Sequence, residues 1–455
     1  MSSNFFITNE KRRKGAGRPA KKMKGSKRNA IVDEEIPSDD EEIQASTHRS
    51  DEHSEDEYDS ETAEDKRLRL AKEYLRHLEQ EELQDQQSKD TAHDAIAHRL
   101  KEEFLDHSGK QQKLLCDECI EPDPDKIIKL QGHKLSVTCV AFSHDGKFVY
   151  SGSKDSSIIK WDLETFKKVK VFHGFHKAGE GKGHKGHILC LDVSSDCKYM
   201  ASGGQDKLVY LWDLEKEEVC YIFKGHKDII TGLRFRHNSH ELYSTSKDRS
   251  VKVWSVDERA YVETLFGHQD AVLGIDCLRR QRPVTAGGRD CSIHVWKIID
   301  ESYLKFETNK RGSMECLCML NEDNYLSGTD DGSLITWNIH KKRPTFTRDN
   351  AHGSNPQRNL PTDDSWIISV ASVPYSDLAI SGSNDNQLRL WRSSRDYTTL
   401  SPLFSVDVPG FINGLALSHN GQFIACAIGQ EHKLGRWWHL QHVKNCVCII
   451  DLRNA

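Results

Sequence analysis

The sequence predicts an all-β fold, a seven-bladed β-propeller, preceded by a disordered charged tail and amphipathic helices. Three observations carry that prediction. A His…Asp…Trp register returns about every 42 residues, the period of a four-stranded blade. Each copy holds short runs with period-two patterning, separated by Ser/Gly/Asp-rich breaks that read as tight turns. The net charge of −6 is concentrated in the first 65 residues, outside the repeating part.

The cleanest copy runs from Gly225 to Trp254. It reads Gly225-His226, then Ile230-Thr231-Gly232-Leu233-Arg234-Phe235, then Leu242-Tyr243-Ser244-Thr245-Ser246, Asp248 and Trp254. The register returns at His133/Asp155/Trp161, His184/Asp206/Trp212 and His268/Asp290/Trp296. Partial copies stand at Asp331/Trp337, Asp385/Trp391 and Glu431/Trp437, so seven tryptophans fall in phase. Gly-His, turn acid and Trp in this order resemble the WD-repeat pattern, over about 330 residues.

In that pattern the Trp, a strand hydroxyl, the imidazole and the turn acid hydrogen-bond in series. The matching serines are Ser151, Ser202, Ser244, Ser327 and Ser381. Such a buried chain stabilises only when every member has its partner. Ser, His and Asp together also resemble a hydrolase triad. Catalysis needs one site, however, and this set recurs around a ring. The chain is read as a non-enzyme that needs no cofactor.

Residues 1–62 read as a basic-then-acidic tail, 63–119 as an amphipathic helical segment and 126–455 as the propeller. Residues 1–32 hold ten Lys/Arg against Glu10, and residues 33–65 hold sixteen Asp/Glu against Arg49. Such a tail cannot bury enough apolar surface to fold. The clusters Lys11-Arg12-Arg13-Lys14 and Lys21-Lys22-Met23-Lys24 read as a nuclear-import address or a loose nucleic-acid arm. Ser38, Ser54 and Ser60, each followed by carboxylates, suit acid-directed phosphorylation. Leu68, Ala71, Leu75 and Leu78, then Ile96, Leu100 and Phe104, mark two helical stripes that need a docking surface. The remaining residues are neutral overall, so nucleic-acid binding by the propeller requires local patches.

No apolar run approaches the length of a membrane span. Thirteen cysteines, mostly placed singly in strand patterns, read as reduced core thiols of an intracellular protein. Cys116-x-x-Cys119 lacks a second ligand pair for zinc, and among His173, His176, His184 and His187 the blade claims His184.

Two strands compete for the edge that closes the ring: Ile127-Ile128-Lys129-Leu130 and the C-terminal Cys446-Val447-Cys448-Ile449-Ile450-Asp451-Leu452. Sequence leaves both open. The later copies depart from the pattern. The fourth has Ala286 where a hydroxyl is expected, the fifth Asn309-Lys310 near the Gly-His position, and the sixth Ala351-His352, displaced by an insert. The seventh has Ala427 and Glu431 and keeps only Trp437.

Binding is expected on the face that carries the Gly-His loops and the turns before the Trp strand, where two insertions lengthen the loops. Its turns present Lys154, Lys207, Lys247, Arg249, Arg289, Lys433 and Arg436. Blade five instead offers Asp330-Asp331. A basic arc on a neutral domain suggests a phosphate-backbone track, with Glu431-His432-Lys433 as the turn that reads RNA shape.

Beyond these motifs, Tyr261-Val262-Glu263-Thr264-Leu265-Phe266-Gly267-His268, Gly410-Phe411-Ile412-Asn413 and above all Gly429-Gln430-Glu431-His432-Lys433-Leu434-Gly435-Arg436-Trp437-Trp438 resemble the WD-repeat subunits of the U3 small nucleolar ribonucleoprotein. So do Leu68-Arg69-Leu70-Ala71-Lys72 and the charged tails. The resemblance implies a nucleolar scaffold that binds U3 small nucleolar RNA at its box B/C region. Its implied partners are the kink-turn-binding core protein, other box C/D core proteins including fibrillarin, and the pre-ribosomal RNA processing complex. The alternative is a protein-only adaptor, a histone-tail reader or ubiquitin-ligase substrate receptor, for which Asp330 and Asp331 would supply an acidic pocket.

Overall fold

The computed structural model describes residues 112–174, 183–308, 312–353 and 365–453, together with Arg69, Lys72 and Arg76. Those three residues are helical. The two apolar stripes, the basic clusters and the acidic block lie outside the described residues.

Seven antiparallel four-stranded sheets form the propeller. Their inner strands are Val137–Phe142, Ile188–Val193, Ile230–Phe235, Val272–Asp276, Met314–Met319, Ile367–Ser372 and Phe411–Leu417, and each packs against the next around a closed ring. Middle strands are buried on both faces between neighbouring blades, which is why they read as near-continuous apolar runs. Between the second and third blades, for example, Val209, Leu211 and Phe223 pack against Ile230, Leu233 and Leu242.

Both terminal strands belong to the last blade. Its order is Phe411–Leu417, Phe423–Gly429, Cys446–Asp451 and Ile128–Leu130. The C-terminal strand is the third of the sheet, and Ile128, Lys129 and Leu130 pair with Ile449, Cys448 and Val447 as the outermost. No competition for the edge exists, because the two occupy successive positions. One blade built from both ends of the propeller chain closes the ring without a free seam.

This arrangement corrects the assignment of Trp437. Leu242 pairs with Trp254 in blade three, whereas the corresponding Ile424 of blade seven pairs with Ile450. An isoleucine thus holds the tryptophan position. Trp437 lies in the loop between Gly429 and Cys446 and is 64% exposed.

The buried networks form as the pattern requires, and in more blades than the sequence suggested. In blade three the Trp254 indole donates to Ser244 Oγ at 2.8 Å, and Ser244 meets His226 Nε2 at 2.7 Å. His226 Nδ1 lies 3.0 Å from Asp248, whose carboxylate also accepts the Lys227 amide at 2.9 Å. Ser151 and His133 link Trp161 to Asp155 in the same way, and Ser202 and His184 link Trp212 to Asp206. Blade four is complete despite Ala286. Thr285, one residue earlier, accepts from the Trp296 indole at 2.8 Å and meets His268, which contacts Asp290. Blade six is complete too: Trp391, Ser381, His352 and Asp385 connect across the insert. The insert lengthens the loop without moving the imidazole. In blade five only the Trp337–Ser327 pair is described.

The recurrent glycine has a packing reason. A Cβ on Gly132, Gly225 or Gly267 would come within 2.9, 3.1 and 3.1 Å of the ring of Trp161, Trp254 and Trp296 respectively. Any side chain there would push the tryptophan off its hydroxyl partner.

Residues 112–119, placed by sequence at the end of the helical segment, are not helical in the structure. The Lys113 amide donates to the Tyr375 carbonyl and the Lys113 carbonyl accepts from the Asp377 amide along blade six, and Cys116 joins the core between blades six and seven. All thirteen cysteines are free. The Cys116 and Cys119 thiols donate to the carbonyls of Asp377 and Leu115, and burial pushes Cys119 up to about 11.

Trp254→Ala is expected to destabilise the protein by about 3–5 kcal/mol, through lost aromatic volume and a stranded Ser244–His226 pair. Arg249→Ala, at an exposed turn, should change stability by less than about 0.5 kcal/mol. Denaturant unfolding of the two variants checks the contrast.

Burial raises the tetrad carboxyls, but hydrogen bonds from the paired imidazole and nearby donors outweigh it and hold Asp155, Asp248 and Asp290 below the usual carboxylate range. A depressed folded-state value means that their stabilisation is present above the ordinary carboxylate value of about 4 and is lost as pH falls below it. His352 is lowered by burial, so the unfolded chain gains its proton first and stability also declines below about pH 6.5. Melting temperature should therefore fall from pH 7 to 5, and more steeply below 4; a flat profile would contradict both assignments.

Candidate nucleic-acid interface

The turn acid of each tetrad is followed by a residue in the left-handed region. Lys207 has φ of 65° and Arg249 of 68°, directly after Asp206 and Asp248. The network that fixes the carboxylate therefore also fixes the backbone that presents these cations. Lys207, Arg249 and Arg289 are exposed and Lys247 is half-buried. Lys207 reaches the Lys227 carbonyl at 2.8 Å and is 4.0 Å from Asp228. Blade five interrupts the series with Asp330 and Asp331, and burial, then repulsion from Glu315, raises Asp330 above the usual carboxylate range.

Lys154 faces inward. It is 4% exposed, and its ammonium bonds Glu431 at 3.2 Å and the carbonyls of His432 and Gly435 at 2.7 and 3.2 Å. Its donors are spent on the blade-seven loop. Sequence reading missed this role because Glu431 lies 277 residues away.

That loop, residues 430–445, is built rather than slack. Glu431 bridges His439, Gln430 donates to Val443, and Asn413 spans the Glu431 carbonyl and the Lys433 amide. The Lys433 ammonium reaches across to the Ile368 carbonyl at 3.4 Å. His432 is 5% exposed, with its ring 5.1 Å from Trp366. Burial, then the charges of Lys433, Lys154 and Lys247, pushes it down to about 3. His432 is thus a neutral packing residue. What the loop displays is Arg436, 62% exposed at its side chain and paired with Glu431 at 3.3 Å, and Trp437, whose ring meets Trp366 and His432 at 6.0 and 5.4 Å. The available signal for Trp437 was the absence of any hydroxyl for it to bond.

Of the histidines with metal-like spacing, His184 is held by its tetrad and His187 contacts the Lys154 carbonyl at 2.6 Å. His176 lies outside the described residues.

The chain is 47% identical to U3 small nucleolar RNA-interacting protein 2 of Mus musculus over 395 residues, covering 86% of this chain and 83% of that protein. The chain belongs to the U3 small nucleolar RNA-interacting WD-repeat family. The Homo sapiens relative of the same name is 46% identical over 87% of this chain and 83% of its own length. A solved structure described as "Structure of U3-55K" superposes with a TM-score of 0.70 at 45% identity, covering 73% of this chain and all of that one. The "WD domain, G-beta repeat" family matches residues 124–162, 177–213, 217–255, 259–297 and 354–392. These correspond to blades one to four and six, the five with complete tetrads. Blade seven, which carries the loop from 430 to 445, is the one that abandons the tetrad.

Glu431→Ala is expected to destabilise the protein by about 3 kcal/mol, because it leaves the Lys154 ammonium buried without its counter-charge. Lys154→Met should restore part of that loss in the double variant. Chemical denaturation of the three proteins measures the coupling.

Proposed function

We propose that this protein is a non-enzymatic scaffold of the U3 small nucleolar ribonucleoprotein and that its tetrad-turn face binds the guide RNA. The observation that carries the reading is the ordered blade-seven loop, which displays Arg436 and Trp437 on the same face as the exposed turn cations Lys207, Arg249 and Arg289, with Lys247 beside them. Cations that neutralise phosphates and an aromatic ring that stacks an unpaired base are what a kinked, partly single-stranded RNA requires. Lys154, His432 and Lys433 support the loop from beneath.

The relatives' names supply the RNA class. In the finer reading, the contact is the box B/C region, beside the kink-turn-binding core protein, fibrillarin and the other box C/D core proteins. The particle would act in the nucleolus in early processing of the small-subunit pre-ribosomal RNA, and the basic tail clusters would serve nuclear import.

Four or five phosphate contacts give a slope near −3 to −4 in log K against log salt. Lys247→Ala with Arg289→Ala should flatten it by about one to two, with the fold intact. Gel-shift titration of the box B/C RNA at several salt concentrations decides. An unchanged slope moves the RNA off this face, and association with the particle that survives RNase would favour the protein-only adaptor.

A further inference from the structure

The face opposite the tetrad turns, where the inner strands end and turn into the second strands, carries a second basic site, built from different residues. A cavity of about 340 Å³ opens there, lined by strands and turns of all seven blades. Three histidines from turns of blades one, three and seven converge at its mouth. The His144 ring lies 4.5 Å from that of His419 and 5.2 Å from that of His237. Four fixed cations line the cavity with only two carboxylates, Asp192 and Asp276. Both carboxylates are engaged by one of the cations: Arg234 Nε lies 2.7 Å from Asp276 and its NH1 3.4 Å from Asp192. A second, Arg236, leans on the Arg279 carbonyl and on Glu241. Among the described residues, Lys113 and Arg279 have no carboxylate within salt-bridge distance. The nearby Glu322 accepts the Arg279 amide.

The titration of the cluster agrees with an uncompensated positive field. Burial, then His144 and Arg279, lowers His237 to about 4, and burial, then His144 and Lys113, lowers His419. An anion in the mouth would reverse that repulsion and draw protons onto the imidazoles.

We propose that this mouth binds a compact, free polyphosphate anion. The cup is walled by all seven blades and has the concave form and volume of a small-molecule site, so it suits a small multivalent group. Arg279 and Lys113 supply fixed charge, and the three imidazoles add charge when the ligand arrives. The site is independent of the RNA face, because no residue is shared.

Isothermal titration of the full chain with sodium tripolyphosphate tests the proposal. Expected is one saturable site with net uptake of protons by the protein, the affinity for a given ligand protonation state rising roughly tenfold per pH unit for each proton taken up between pH 7.5 and 6.0. Lys113→Ala with Arg279→Ala should weaken binding at least about tenfold at both pH values. His144→Gln, His237→Gln and His419→Gln together should remove the protein's proton uptake and leave only the pH dependence of the ligand's own titration, and Arg249→Ala with Arg289→Ala should leave binding unchanged. Box B/C gel shifts on the Lys113/Arg279 and triple-histidine variants report that the fold and the RNA face are intact. Absence of saturable heat, loss of binding in the Arg249/Arg289 variant, or undiminished proton uptake in the triple variant would each overturn the proposal. Stoichiometric displacement of tripolyphosphate by an acidic peptide or by RNA would replace it with a macromolecular ligand.

Discussion

The turns of the tetrad blades on the candidate face depend on one chain of hydrogen bonds, from indole to hydroxyl to imidazole to carboxylate. Its physical logic is that each member satisfies the next: Ser244 accepts from Trp254, meets His226, and His226 holds Asp248. Buried polar groups are stabilising only on that condition. The carboxylate then accepts backbone amides on both sides of the gap between loop and turn. Loop position, turn conformation and the display of turn cations are consequences of a core network rather than of surface chemistry.

The blade that lacks this network uses other means. With Cys426 and Ile450 in apolar contact, no imidazole is needed, and the turn that a tetrad would keep short becomes the loop from 430 to 445. Its order comes from Asn413, from Glu431 and from the buried ammonium of Lys154 in the neighbouring blade. A buried ion pair contributes little net stability, but it fixes register. Here it fixes the loop that displays Arg436 and Trp437, so the departure from the structural rule coincides with the candidate site.

The two faces of the ring differ in kind. One carries a folded loop that combines cations with aromatic rings. The other is an open cup of cations and imidazoles lined by no carboxylate beyond the pair engaged by Arg234. The two candidate sites share no residue.

By itself the sequence determined the propeller, the number of blades and the identity of most tetrads, because these rest on local periodicity and on fixed spacings within one repeat. His133, His184, His226 and His268 with their acids and tryptophans were legible for that reason. Tertiary structure decided whatever depended on contacts between repeats or on register within a strand. It moved the blade-four hydroxyl from position 286 to Thr285, kept His352 in place across its insert, and gave both terminal strands to one blade. It also turned Lys154 and His432 inward and Trp437 outward, which no local pattern reveals. Whether a lysine is a surface charge or a buried strut is settled by its neighbours in space, and Glu431 reaches Lys154 only after the ring has closed.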